Sequence, residues 1–125
     1  MTQSVEDYLE AVYLLSGESE DVRVTDLSAR LSVKKPSVVH ALKTLTQKNF
    51  VKREHYGTVR LTTEGYAAAR KIFRRHTVIK QFLISALGES EENAEKDACA
   101  LEHILSNEAL VKIARFGKRR TNDTR

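Results

Sequence analysis

The sequence is poor in the residues that cross-link, interrupt or anchor a chain. Its 125 residues include one cysteine, Cys99, so no internal disulfide bond can form, and this fits a reducing compartment. No apolar run approaches the roughly 18 residues that a membrane span needs, and the first residues, MTQSVEDY, are acidic. There are five glycines and one proline, with no glycine-rich phosphate loop and no proline-rich linker. We therefore expect a compact cytoplasmic protein with no membrane partner.

Charge is segregated along the chain, although the net charge is only +4. Residues 1–21 contain six acids and no lysine or arginine, whereas residues 22–80 contain 14 bases against three acids. Residues 81–110 contain seven acids against one base, and residues 111–125 contain six bases against one acid. A basic middle between acidic flanks indicates a polyanion-binding segment beside elements that gather carboxylates, as cation binders do. Solvated helix faces are the alternative explanation of these counts.

Apolar side chains recur at helical spacing in six stretches. The predicted helices are 4–16, VTDLSARLSV, PSVVHALKTLTQKN, about 24 residues from TTEGY onward, about 91–105, and a last helix from Ser106 to Gly117. Between the third and fourth, β-rich runs at 50–54 and 58–62 flank His55-Tyr56-Gly57 and predict a hairpin. Two short helices joined by a tight turn and followed by a hairpin predict a winged helix-turn-helix, so the expected fold is mainly α with a small β wing.

The third predicted helix is the element expected to read DNA. Because Val38, Leu42 and Leu45 turn inward, the opposite face and the N-terminal mouth of this helix present polar and basic groups. Such a helix places its N-terminal residues near base edges, while flanking cations hold phosphates. The predicted DNA-binding residues are Arg23, Lys34, Lys35, Pro36, Ser37, His40, Lys43, Thr44, Gln47, Lys52, Arg53 and Arg60, with His55 as a further hairpin contact. A single cation is as well explained by solubility, and only the ordered set indicates double-stranded DNA.

A homodimer is expected, because one winged helix reads only a few base pairs and useful affinity usually needs a two-fold dimer on a palindromic operator. The helices after the wing carry the apolar side chains that predict the dimer surface. These are Ile72, Phe73, Ile79, Phe82, Leu83, Leu101, Ile104 and Leu105.

Groups that can bind a metal share faces of two predicted helices. Cys99, Glu102 and His103 stand at i, i+3 and i+4 in the fifth helix, and Asp7 and Glu10 are one turn apart in the first. With the isolated imidazole of the long helix, the candidate ligands are Asp7, Glu10, His76, Cys99, Glu102 and His103. This mixture of oxygen, nitrogen and sulfur suits a divalent first-row metal, being too rich in oxygen for a structural zinc site and too soft for calcium. Spacing alone does not exclude the alternative that this stretch is an acidic helix with one buried cysteine and no metal site.

The chain resembles the diphtheria-toxin-repressor family of metal-dependent transcriptional repressors, and more closely its short manganese-regulator branch. The resemblance rests on "VEDYLEAVYLL", "VTDLSARLSVKKPSVVHALKTL", "GTVRLTTEGYAAARKIFRRHTVIKQFL" and "ALEHILS", and covers about residues 4–116. It implies that the six candidate ligands hold the metal and that the loaded protein represses metal-homeostasis genes. The predicted domains are a winged helix-turn-helix at 1–65, a helical metal-binding and dimerisation domain at 66–117, and a disordered basic tail at 118–125.

Two positions combine features of different branches of that family. Members of the manganese branch typically have glutamate where this chain has Cys99, and iron-type members have cysteine there but methionine in place of Asp7. The expected activator is therefore Fe²⁺ or Mn²⁺, with Co²⁺ or Zn²⁺ as possible surrogates. One rival is a winged-helix regulator that senses an organic ligand. The other is an enzyme with Cys99 and His103 as a nucleophilic pair, but the sequence supplies no activating base or oxyanion site, so no enzymatic activity is expected.

Overall fold

The computed structural model describes residues 3–17, 21–54 and 57–123, and side chains from 4–17, 21–54 and 57–116. His55 and Tyr56, at the predicted tip of the hairpin, lie outside the described residues. The elements are α1 (Gln3–Ser16), β1 (Val22–Arg23), α2 (Val24–Leu31), α3 (Lys35–Gln47), β2 (Val51–Arg53), β3 (Thr58–Leu61), α4 (Thr63–Ser85), α5 (Glu91–Leu101) and α6 (Asn107–Asp123). The predicted fold, mainly α with a small wing, is confirmed. Two compact units, Met1–Lys71 and Ile72–Arg125, divide the chain within α4.

The wing of the first unit is a three-stranded antiparallel sheet in the order β1-β3-β2. The predicted hairpin is its β2–β3 pair, and β1 joins through Val22, which lies opposite Val59. Val22 and Val59 are buried, as is Val51 on β2. In the pairing of β2 with β3, Lys52 lies opposite Arg60, and both residues are exposed. The sheet therefore buries its valines and carries basic groups on its solvent side.

The three helices of the first unit pack through aliphatic side chains at helical spacing. Leu9 of α1, Leu27 of α2 and Leu42 of α3 are all 0% exposed. The turn between α2 and α3 passes through Ser32, whose φ of 54° is left-handed. α3 then begins with Pro36 in its first turn, as predicted, where the missing N–H of proline costs no hydrogen bond. This packing fixes which face of α3 is exposed.

The start of α4 lies directly against the short segment that connects α3 to β2. The Thr62 hydroxyl donates to the Asn49 carbonyl at 2.7 Å and accepts from the Gly65 N–H at 2.9 Å. A Cβ atom at Gly65 would lie only 1.8 Å from the Phe50 carbonyl oxygen. The glycine is therefore required for this close approach of helix and backbone.

Gly65→Ala should destabilise the protein by about 2 kcal/mol or more, because backbone has to move to admit the methyl group. Gly17→Ala is the matched control, since the nearest atom to its added Cβ is the Leu14 carbonyl oxygen at an ordinary 3.4 Å. Urea unfolding followed by circular dichroism measures both variants. A Gly65→Ala midpoint equal to that of Gly17→Ala would contradict the close approach.

The core of the second unit is formed by buried side chains of α4 and α5. Ile79 and Leu83 pack against Ala94 and Ala98, with Leu101 at the edge of the cluster. The prediction that Ile79 and Leu83 belong to a dimer surface is therefore wrong, because both are buried inside one protomer. Ile72, at 3% exposure, is likewise buried, whereas Phe73 and Ile104 are 37% and 71% exposed.

In the second unit, α5 and α6 begin where the sequence predicts, but they end at different residues. Ser90 accepts from the Asn93 N–H at 3.1 Å and Ser106 accepts from the Ala109 N–H at 3.1 Å, so both serines cap the helices as predicted. α5 ends at Leu101 rather than near 105, and α6 continues past Gly117 to Asp123. None of the described helices is long and apolar enough to cross a membrane.

Candidate metal centre and DNA-facing surface

α3 presents the polar face that its periodicity predicts. Val38 and Leu45 are fully buried, and Ser37 and His40 lie exposed on the opposite side. Thr44 is only half-buried, and its hydroxyl donates to the His40 carbonyl at 3.4 Å. The other predicted DNA-binding residues on and before this helix are also exposed, namely Lys34, Lys35, Pro36, Lys43 and Gln47.

The sheet adds cations beside this helix within the first unit. Arg23, Lys52, Arg53 and Arg60 are all exposed. Lys52 and Arg60 are directly opposed across β2 and β3, an arrangement of like charges that costs stability in a sheet. Arg60 Nη2 lies 3.5 Å from Asp21 Oδ1, with both side chains more than half exposed. The exposed ion pair leaves Arg60 able to exchange partners with a phosphate.

Val39 is a surface position that sequence reasoning missed. It is 45% exposed on α3, although it is an aliphatic residue in a helix with a buried apolar face. An exposed aliphatic group on a reading helix can contact a thymine methyl, which polar side chains cannot do as well. Its place outside the i, i+4, i+7 apolar stripe was the available signal.

In the second unit, α4 and α5 bring one imidazole against three potential ligands. His76 is 8% exposed, and its Nδ1 lies 3.3 Å from Glu102 Oε2 and 3.9 Å from Cys99 Sγ. Its other ring nitrogen, Nε2, lies 3.0 Å from Glu95 Oε2. Glu95 and Cys99 are one turn apart on α5, which is why both reach the same face of α4. Glu102 follows directly after the helix.

Glu102 is a buried carboxylate at the C-terminal end of α5. It is the C-cap residue, its N–H bonds to the Ala98 carbonyl at 3.0 Å, and only 1% of the residue is exposed. Its oxygens lie 3.3 Å from His76 Nδ1 and 3.3 Å from His103 Nε2, but within the described chain neither oxygen accepts a hydrogen bond of satisfactory geometry. A buried carboxylate requires strong compensation. Two imidazoles and a thiol beside such oxygens form a donor set that fits a divalent first-row metal.

The other predicted ligands are carried by α1 and by the residues just after α5. Asp7 and Glu10 lie one turn apart on α1, in the first unit. His103 lies beyond the end of α5 rather than within it, with its side chain 2% exposed. Cys99 is exposed, so the alternative in which this cysteine is a buried core residue is wrong.

Glu95 and Lys80 belong to this cluster, although sequence reasoning missed both. Glu95 Oε2 accepts from Lys80 Nζ at 2.9 Å as well as facing His76. Partial burial would raise the pKa of Glu95, but the hydrogen bonds from Lys80 and His76 outweigh it and the pKa is lowered. The spacing of Glu95, Cys99 and Glu102 by four and three residues was the available signal, since it continues one helical face.

His76 carries an unusually basic imidazole. The Glu102 carboxylate is the largest cause, burial acts in the opposite direction, and Glu95 adds to the increase, so that the pKa rises from 6.5 to about 9. In the metal-free protein the imidazolium therefore persists at neutral pH between two carboxylates. Binding of a metal through a ring nitrogen requires the loss of that proton.

The metal-free protein should lose stability as the pH rises from 6.5 toward 9. The folded-state pKa of His76 is raised to about 9 from 6.5, so its contribution is fully present below pH 6.5 and disappears as the pH passes about 9. We expect the Tm in chelator to fall by roughly 4 °C more across this window in the wild type than in His76→Gln. Identical pH profiles for the two proteins would contradict the raised pKa.

Both halves of the chain match models of known protein families. Residues 1–59 match the N-terminal DNA binding domain of the iron dependent repressor, and residues 62–125 match its metal binding and dimerisation domain. An uncharacterized HTH-type transcriptional regulator of Methanocaldococcus jannaschii is 39% identical over 117 residues, which are 93% of this chain and 94% of the relative. The transcriptional regulator MntR of Geobacillus kaustophilus is 36% identical over 112 residues, covering 90% of this chain and 79% of the relative.

A solved structure shows the same fold. The structure of the manganese regulator SloR matches 93% of this chain with a TM-score of 0.81 and 28% identity. The match covers 54% of the SloR chain, so this chain spans about half the length of that protein. The family inferred from the sequence motifs is confirmed by both domain models, and the chain belongs to the iron dependent repressor family.

Proposed function

We propose that this protein is a transcriptional repressor that binds double-stranded DNA as a homodimer when Fe²⁺ or Mn²⁺ is bound. The observation that supports this most directly is the buried Glu102 carboxylate, which lies between the imidazoles of His76 and His103 beside the thiol of Cys99. Family membership favours a metal-dependent regulator over a sensor of an organic ligand and over an enzyme. We propose that it acts in the cytoplasm on genes of metal homeostasis.

The proposed ligands are Asp7, Glu10, His76, Cys99, Glu102 and His103. A bound divalent cation would bring positive charge to the carboxylates of this set. Glu102 and the two imidazoles are buried or nearly so, which holds them in place, whereas Cys99 offers a soft donor at the exposed edge. Asp7 and Glu10 are included because of their spacing on α1 and the family resemblance.

The proposed dimer contact lies on the second unit. Several large apolar side chains there are exposed in the protomer, and a second copy would bury them. They are Leu87, Ile104, Val111 and Phe116, exposed by 63%, 71%, 49% and 46%. A two-fold dimer would present two α3 helices to half-sites of a palindromic operator, about one helical turn (~34 Å) apart or a multiple of that.

Binding to genomic fragments under anaerobic conditions tests the proposed function. The protein is mixed with fragments in the presence of Fe²⁺, Mn²⁺, Zn²⁺ or a chelator, and bound DNA is identified by sequencing. We expect a small set of palindromic sites to be recovered only with metal. Recovery of the same sites in chelator would favour the sensor of an organic ligand, and recovery of no specific site would reject the repressor.

Two groups of DNA-binding residues should differ in their response to substitution. Lys35→Ala and Arg60→Ala should weaken binding to all sequences and lower the salt slope by about one unit for each phosphate that the variant no longer neutralises. Ser37→Ala and His40→Ala should instead alter sequence preference, because they remove groups near base edges. Salt titrations on operator and random duplexes distinguish the two outcomes. Equal losses of affinity on both duplexes for all four variants would refute α3 as the reading helix.

A further inference from the structure

The two ring nitrogens of His76 face chemically different partners. Nδ1 points to the proposed ligands, with Glu102 Oε2 at 3.3 Å and Cys99 Sγ at 3.9 Å. Nε2 lies 3.0 Å from Glu95 Oε2, which is hydrogen-bond distance. A histidine that binds a metal through one nitrogen commonly donates its other N–H to a carboxylate, and this sets both the tautomer and the ring orientation.

Glu95 is itself held by a cation of the protein. Lys80 Nζ lies 2.9 Å from Glu95 Oε2, the same oxygen that faces His76, and 3.6 Å from Glu91 Oε1. Oε2 therefore has two donors directed at it. The second oxygen, Oε1, is 3.9 Å from Cys99 Sγ. A divalent ion bound directly by Glu95 would have to displace Lys80 or lie close to its ammonium group, and like charges repel strongly at such distances.

We propose that Glu95 is a positioning residue that, braced by Lys80, accepts the Nε2–H of His76 and so fixes Nδ1 as the atom that binds the metal. This rests on the proposed function, because it takes His76, Cys99 and Glu102 as ligands. Lys80 holds the Glu95 carboxylate beside the ring, and the ring then presents Nδ1 toward Cys99 and Glu102. Glu95 acts through His76 and does not enter the coordination sphere.

The nitrogen that binds the metal can be read directly by NMR. The full chain, labelled with ¹⁵N, is loaded with ¹¹³Cd²⁺, and long-range correlation spectra record the ring nitrogens. The sequence has only four histidines, so His76→Gln assigns the relevant ring. We expect cadmium coupling at Nδ1 and a proton on Nε2. Coupling at Nε2 would overturn the positioning role while leaving the metal site intact, whereas a His76 ring without any coupling would reject His76 as a ligand and the proposed site with it.

Affinity measurements separate positioning from ligation. Glu95→Ala should weaken Cd²⁺ binding about 10- to 100-fold, as the loss of an outer-shell partner typically does. Glu95→Gln keeps an oxygen that can accept the Nε2–H, so it should restore binding to within about 5-fold of the wild type. If Glu95 were a ligand, the amide would be nearly as damaging as alanine, and the proposal would be wrong.

Exposed neighbours on α5 provide matched controls. Glu92 and Lys96 form an exposed pair at 3.9 Å, and Glu92→Gln and Lys96→Gln change the same charges without touching the cluster. Lys80→Gln should weaken Cd²⁺ binding several-fold and leave a mixture of His76 tautomers, whereas Lys96→Gln should change neither. Stronger metal binding by Lys80→Gln would show that the ammonium merely repels the ion, and it would overturn the bracing role.

Discussion

Chelation of metal should lower the affinity of the protein for its operator on the order of 100-fold. The second unit gathers Glu102, Glu95 and Cys99 around His76, and Glu102 is buried without a hydrogen bond of satisfactory geometry in the described chain. A divalent cation would compensate the buried negative charge of Glu102 and so stabilise this arrangement of side chains. If the loaded arrangement is also the one that fits DNA, metal and operator bind cooperatively, and each increases the affinity for the other by the same factor.

The measurement is fluorescence anisotropy of a labelled operator with Mn²⁺, with Fe²⁺ under anaerobic conditions, or with chelator. Glu102→Gln keeps the shape of the side chain but removes its charge, and it should abolish most of the difference between metal and chelator. Glu108→Gln is the control, because Glu108 is an exposed residue of α6 that pairs with Lys112, one turn away, at 3.2 Å. Unchanged operator affinity in chelator would show that the protein is not a metal sensor, even though it has the fold of one.

The helices were predictable because their signals are local. Pro36 sits in the first turn of α3, and Ser90 and Ser106 cap α5 and α6 through hydrogen bonds three residues away. The two-residue strand β1 carries no such signal. It exists because Val22 pairs with Val59, far along the chain, and pairing across that separation cannot be read from neighbouring residues.

The same distinction explains which parts of the site were found. Cys99, Glu102 and His103 form a short sequence cluster that helical spacing makes visible, although Glu102 and His103 lie just beyond the helix end. Glu95 resembled any exposed acid until the packing of α4 on α5 placed it 3.0 Å from His76, which is 19 positions away in sequence. The burial of Ile79 and Leu83 depends on the same packing, and periodicity alone does not distinguish a protomer core from a dimer surface.

Cys99 should decide which metal the protein prefers. A thiolate is a softer ligand than a carboxylate and shifts a site from Mn²⁺ toward Fe²⁺, Co²⁺ or Zn²⁺, while carboxylate oxygens favour harder ions. Cys99 lies 3.9 Å from His76 Nδ1 and is exposed, so it can be replaced without opening a cavity in the core. We therefore propose Fe²⁺ as the physiological activator, with Mn²⁺ as the alternative. A metal bound through the Cys99 thiolate and the His76 ring would have to displace a proton from each, and the pKa of His76 is about 9, so activation should weaken as the pH is lowered from about 9.

Cys99→Ala should lower affinity for Co²⁺ and Fe²⁺ at least 10-fold, since loss of a direct ligand should cost no less than loss of an outer-shell partner. Cys99→Glu should shift the preference toward Mn²⁺, because it replaces sulfur with a hard oxygen donor. The Co²⁺ absorption spectrum gives the direct test, because a sulfur-to-metal charge-transfer band should be present in the wild type and absent from Cys99→Ala. Thermal unfolding of the metal-free variants checks that neither substitution disturbs the fold. Identical spectra without that band would mean that Cys99 does not bind metal, and that the remaining carboxylates and imidazoles form a hard site selecting Mn²⁺.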